Sequence, residues 1–367
     1  MALTTTDARV PGGAPAAETG APRPPRRQHP LLRYISLRFG ISILLVWGVT
    51  VVTFVVTNLV PTDPVNAVLG EQAANNPEIV AALRTEMGLD EPLIVQYWLY
   101  LTRLLAFDMG VSAQTRSPVA DDLARAFPAT LELALFVLLF STVIGVGLGM
   151  LAALRHQTAV DKTIRVLSLF GISLPVFWIA MLIYYVFFYQ LHWAPGSGRL
   201  DSALVPPPLV TGMYTIDSLV AGQPDLFWNA LSHLVLPAVV LTLFTIGTLV
   251  RFSRSAILDV VRHDYVQAAR AKGLPHRIVV VRYILRGASL PILTMSGLTF
   301  GSLLSGAVLT ESVFSWHGLG QYAYMAAISL DLQAIMGVGL LIGVVYIFTN
   351  FAVDLLCGLI DPRVRVQ

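Results

Sequence analysis

The groups in this chain that could carry chemistry are few, and their spacing argues against catalysis. The seven histidines, His29, His156, His192, His233, His263, His276 and His317, have no metal-ligand spacing, and neither His-Glu-x-x-His nor Gly-x-Ser-x-Gly occurs. No Gly-Lys-Ser or Gly-Lys-Thr is present, so the chain has no phosphate-cradling loop with which to drive ATP hydrolysis. The single Cys357 belongs to no ligand pattern and reads as packing, as does His233. The expectation is a non-catalytic chain with no cofactor or metal of its own.

One segment is built for contact instead. It reads Asp264, Tyr265, Val266, Gln267, Ala268, Ala269, Arg270, Ala271, Lys272, Gly273, Leu274, Pro275. Gln267 to Lys272 favours helix, Gly273 suits a left-handed C-terminal cap, and Pro275 can begin a new helix. Two short helices meeting at a sharp turn are therefore expected. Ala268, Ala269 and Ala271 would leave a low-profile face for another protein, with Arg270 and Lys272 placed for pairing at its rim.

The rest of the chain must hold that segment. Of 367 residues, 55% are hydrophobic and 13% charged, against about 25% charged in soluble domains. Six blocks free of Asp, Glu, Lys and Arg, at 39–62, 133–154, 166–198, 226–250, 287–310 and 332–353, each reach the roughly 20 residues that a bilayer span needs. The third is longer than a span, so its end is expected to be loop. Buried helices of a soluble protein would need amphipathic neighbours that the sequence lacks, and transmembrane strands would be about ten residues long and alternate in polarity.

Lys and Arg resist translocation and so orient the spans. Nineteen of the 24 fall in the N-terminal tail, the second loop, the fourth loop (251–286) and the C-terminal tail. Both termini are therefore expected in the cytoplasm. The fourth loop alone carries Arg251, Arg254, Arg262, Arg270, Lys272, Arg277, Arg282 and Arg286, a charge that topology alone would account for.

Residues 1–30, rich in Ala, Pro, Gly and Thr, read as a disordered tail, followed by one transmembrane unit over 31–367. The external loop 63–129 should contain a short helix at 78–87 closed by Gly88. A second, amphipathic helix at 92–106 should carry Tyr97, Trp98 and Tyr100, either shielding the bundle or docking an external partner.

At its fourth loop the chain resembles the integral membrane subunits of ABC importers, whose shared cytoplasmic signature is Glu-Ala-Ala, three residues, then Gly. Here it stands as Gln267-Ala268-Ala269, three residues, Gly273, with Gln in place of Glu. The run from Ala269 to Pro275, followed by Leu290-Pro291, is similar to the dipeptide, oligopeptide and nickel branch. Gln96-Tyr97 with Tyr100-Leu101, the stretch Pro128 to Leu133, Glu311 to Gln321, and Asp361 to Arg365 resemble the first of that branch's two permease subunits. His317 and Gly287 depart from positions where the family usually has Pro.

The resemblance implies an all-α integral membrane fold of six transmembrane helices, like the permeases of type I ABC importers, in the bacterial cytoplasmic membrane. It implies partners too: a homologous second permease, two ATPase subunits that bind ATP and Mg, and an external solute-binding protein, with lipid around the bundle and no nucleic acid. ATPase coupling would fall to Asp264, Tyr265 and Gln267 to Pro275. Small or polar residues within spans, Ser173, Pro175, Ser296, Ser302 and Ser305, are candidates for the solute path or for helix packing. An ion-coupled secondary transporter is the rival, but Glu132 and Asp354 sit at span ends rather than mid-bilayer. Dipeptides, oligopeptides, nickel chelates and other small polar solutes all remain open as cargo.

Overall fold

The computed structural model describes residues 30–59, 77–86 and 88–360. The expected tail up to residue 29, the loop segment 60–76, residue 87 at the end of the expected 78–87 helix, and the ending 361–367 lie outside them. Among the described residues every regular element is helical. We number them α1 (Pro30–Leu59), α2 (Pro77–Glu86), α3 (Leu93–Leu105), α4 (Val119–Leu154), α5 (Ala159–Ser173), α6 (Val176–Tyr184), α7 (Tyr214–Val220), α8 (Pro224–Val261), α9 (Asp264–Ala271), α10 (His276–Gly306), α11 (Val308–Phe314), α12 (Leu319–Ile328) and α13 (Leu332–Ile360).

Five of these, α1, α4, α8, α10 and α13, are single helices long and apolar enough to cross a bilayer. The third sequence block is different. It forms α5 and α6, bent by 93° at Leu174-Pro175, and its π-helical continuation ends at Gln190. Proline has no N–H to donate and forces its predecessor out of the helical region, and Leu174 is extended at φ −96°, ψ 140°. The expected third span is thus a bent helix pair, which brings the number of candidate spans to six if the pair is one crossing, with loop from Leu191.

Helices α4 and α8 form the centre and run in the same direction, because Gly145 lies on Leu249 and Gly149 on Ser253. A Cβ at either glycine would come within 2.8 Å of the facing Cβ, so the small residues let the two backbones meet closely. Leu133, Val137, Leu234, Leu241, Leu303, Leu304 and Trp316 fill one core among α4, α8 and α10. By contrast α1 is peripheral, packing on α13. The Tyr97 hydroxyl of α3 lies 2.9 Å from that of Thr50, and its ring stands edge-on to Phe54 at 5.3 Å. Helix α3 therefore covers α1, although Trp98 stays 63% exposed.

Candidate functional site

Helix α9 is a strap across one end of the bundle, and its inward face explains how it is held. Val266 and Ala269, three residues apart and so on one side of the helix, are buried. They meet Ile257 and Val260 of α8, Val279, Val280, Ile284 and Ala288 of α10, and Ala153 of α4. Burying a Val side chain contributes roughly 1.5–3 kcal/mol, which offsets the weak intrinsic stability of an eight-residue helix. Asp264 in the first turn and Arg270 in the last suit the helix dipole.

The C-terminal turn is specific. Gly273 takes φ +72°, its N–H donates to the Arg270 carbonyl at 2.9 Å, and the Leu274 N–H donates to the Ala269 carbonyl at 3.4 Å. This is the Schellman pairing, and Leu274 packs against the same apolar cluster as Ala269. Pro275 then opens α10, its carbonyl accepting from the N–H groups of Ile278 and Val279.

The outward face differs from the sequence expectation in one respect. Ala268 and Ala269 are neighbours in the chain but not on the surface: Ala269 is 3% exposed, packed into the bundle. The exposed stripe is Asp264, Gln267, Ala268 and Ala271, at helical spacing i, i+3, i+4, i+7. Arg270 and Lys272 are exposed beside it, and the Gln267 amide donates to the Arg262 carbonyl at 3.3 Å. The Tyr265 hydroxyl lies against Gly287 of α10, where a Cβ would collide with it and with Val260. Gly287 therefore admits the tyrosine that seats α9.

The five path candidates are not brought together. Ser173 and Pro175 are exposed at the α5–α6 break. Ser302 and Ser305 line a groove of about 830 Å³ between α1, α10 and α13. Ser296 is 8% exposed and faces α4, where the Thr142 hydroxyl donates to it at 3.4 Å.

At the opposite end the structure reveals carboxylates that hold loops, which the sequence reading noted only as a span end and part of a motif. Glu132 pairs with Arg199 at 2.8 Å and accepts from the Thr215 N–H and hydroxyl, while Arg199 also donates to the Gly212 carbonyl and stacks 3.8 Å over Tyr214. Glu311 accepts from the Thr130 hydroxyl and the Gln321 N–H; burial pushes its carboxyl upward against those bonds. Trp316 donates to the Ala129 carbonyl at 2.8 Å. His317 takes φ +53°, a value closed to the proline that the family usually has there.

Two family models match: the binding-protein-dependent transport system inner membrane component over residues 145–366, and its N-terminal companion over 31–134. Among curated relatives, the probable D,D-dipeptide transport system permease protein DdpB of Escherichia coli is 42% identical over 88% of this chain and 94% of its own. The di/tripeptide transport system permease protein DppB of Pseudomonas aeruginosa is 40% identical over 92% and 100%. In an inward-facing structure of the MetNI methionine ABC transporter, one chain superposes with TM-score 0.50 at 16% identity, over 65% of this chain and 96% of that one, a likeness of fold.

Proposed function

Because this chain belongs to the binding-protein-dependent transport system inner membrane components, we propose that it is the permease subunit of an ATP-driven importer whose cargo is a dipeptide or short peptide. It is a multi-pass protein of the bacterial inner membrane. The observation that carries the coupling assignment is α9 itself. The bundle buries its inner face, with Leu274 after the Gly273 turn packed on the same cluster, and leaves the stripe Asp264, Gln267, Ala268 and Ala271 open to a partner.

In this reading both termini and α9 face the cytoplasm, where two ATPase subunits bind ATP with Mg. Each power stroke reaches the spans through Val266, Ala269 and Tyr265, because these side chains lock α9 to α8 and α10. Seated on three helices at once, α9 transmits motion as a rigid body rather than absorbing it. A homologous second permease completes the solute path, and an external binding protein delivers cargo to the end bearing Arg199 and Glu311. The broken α5–α6 span and the Ser302–Ser305 groove are the surfaces offered to that path.

Reconstitution tests the reading. The chain, its neighbouring permease, the ATPases and the binding protein are placed in proteoliposomes with labelled dialanine outside. Uptake should require ATP and the binding protein. Uptake by this chain alone under a proton or sodium gradient would replace the reading with an ion-coupled carrier.

A further inference from the structure

Helix α3 is largely apolar on both of its sides, yet it buries none of its residues. Its inner side meets the second half of α1: the rings of Tyr97 and Tyr100 stand 5.3 and 5.7 Å from that of Phe54, and the Tyr97 hydroxyl reaches Thr50. Its outer side carries Ile94, Val95, Trp98, Leu99 and Leu105 at helical spacing, with Ile94 83% and Leu105 75% exposed. The polar side chains between them are satisfied locally. The Gln96 amide donates to the carbonyls of Leu89 and Glu91 at 2.9 and 2.7 Å, and the Thr102 hydroxyl donates to the Leu99 carbonyl at 2.9 Å. Arg103, in the last turn, is the one charged residue of the helix. Asp90, Glu91 and Asp108 stand exposed just beyond its two ends.

The contacts with α1 fix the height of α3 along the bundle. Helix α1 is long and apolar enough to cross a bilayer and ends at Leu59; its last 20 or so residues rise about 30 Å, the thickness of the hydrocarbon core. Thr50 and Phe54 precede that end by about 13 and 8 Å along the axis, so both sit within hydrocarbon. Helix α3, whose side chains reach them, lies at its margin. That margin is the one away from α9: Arg38 of α1 pairs with Asp354 near the end of α13, Gly337 near the start of α13 meets Val119 at the start of α4, and α9 packs on Ala153 at the end of α4. Around α3 the surface of α1 exposes Val52, Val55, Val56 and Leu59, so the outer face of α3 continues a lipid-facing surface. A helix apolar all round belongs in a protein core or in lipid, and this chain packs no core over it. A soluble partner would have to stay seated permanently to keep the face from water, whereas lipid is present at that height throughout.

We propose that α3 is an interfacial anchor, its Ile94, Trp98 and Leu105 face embedded among phospholipid acyl chains at the bilayer boundary. Trp and Tyr favour that depth, and the carboxylates beyond the two helix ends remain in the headgroup layer or in water. With a single charge on the helix, its seating depends on acyl chains and not on headgroup charge. The anchor holds segment 106–118 between lipid on one side and Asp331 on the other, where the Ser112 hydroxyl donates at 2.6 Å, and so fixes the entry to α4.

The test uses the wild-type chain, assembled with its partners in nanodiscs of phosphatidylcholine or of phosphatidylglycerol, each doped with a phospholipid carrying a diazirine on its acyl chain. After irradiation, lipid adducts are mapped by mass spectrometry, with residues 52–59 of α1 as the internal reference. Adducts should fall on Ile94, Trp98 and Leu105 at a level at least about fivefold above the loop 201–212, equally in both lipids and with or without saturating binding protein. A second measurement places a nitroxide on Ile94→Cys or Leu105→Cys in a Cys357→Ser background. Collisions with oxygen should exceed those with a water-soluble nickel chelate, as at Val52→Cys and unlike Ser202→Cys. Adducts on α3 no more abundant than on the loop, or lost when the binding protein docks, would assign the face to water or to a protein and overturn the proposal. So would nitroxides that meet the nickel chelate as freely as at Ser202→Cys, or that meet neither collider.

Discussion

Replacing Gly273 isolates what the turn after α9 contributes. A Cβ built at Gly273 meets nothing within 4 Å, so a substitution there adds no clash, and only the backbone angle of +72° resists it. An L-residue in that left-handed region is disfavoured by about 1–2 kcal/mol. Loss of glycine's freedom in the unfolded chain returns about 0.4–1 kcal/mol. For Gly273→Ala the net is about 1 kcal/mol, roughly a fivefold shift toward the open turn. Asn tolerates the region better and should lose less; Val, branched at Cβ, should lose most.

Hydrogen exchange reads the effect at the Leu274 amide, which is bonded to the Ala269 carbonyl. The rates should rank Gly273 slowest, then Asn, Ala and Val, with ATPase-coupled uptake falling in the same order. If the Ala and Val variants exchange like wild type, the turn is not held by a left-handed glycine and the account of α9 is wrong.

Three further outcomes follow from the same geometry. Ala269→Asp places an unpaired charge in the apolar cluster, worth several kcal/mol, and should lower thermal stability sharply. Ala268→Asp, on the open side, should leave the melting midpoint nearly unchanged yet reduce ATPase co-purification. Gly287→Ala should destabilise by about 1–3 kcal/mol through overpacking on Tyr265, and Tyr265→Phe should recover part of it in a double-mutant cycle. At the opposite end, burial of Asp217 opposes its ionisation, but bonds from the Thr211 hydroxyl and the N–H groups of Thr211, Val210 and Gly212 outweigh it, holding the carboxyl below its usual range. Its stabilisation is therefore present above about pH 3.9 and is lost as pH falls through the depressed value. Thermal unfolding followed from neutral pH down to well below pH 3.9 should show this loss only in the acid part of the range, and Asp217→Asn should remove it along with about 1–3 kcal/mol at neutral pH.

The spans were legible because a bilayer excludes charge, and charge is read residue by residue. The α5–α6 break was not, since its apolar content runs unbroken through Pro175 and only the backbone shows a 93° bend. The α9 turn was legible from local chemistry, because Gly273 and Pro275 act on their own neighbours. Its face was misread at one position: two adjacent alanines look alike in sequence, and only the seating on α8 and α10 turns Ala269 inward. The Arg199–Glu132 pair joins residues 67 apart, and nothing local marks it.

The claim that α9 receives an ATPase is tested most directly by placing single thiols on its surface. In a Cys357→Ser background, Ala268→Cys, Ala271→Cys and, at the far end, Trp228→Cys are labelled with a benzophenone maleimide and irradiated in the assembled transporter. Positions 268 and 271 should yield ATPase adducts whose amount changes with bound ATP, and position 228 should yield none. ATPase adducts absent from 268 and 271, in a complex that still transports, would contradict it.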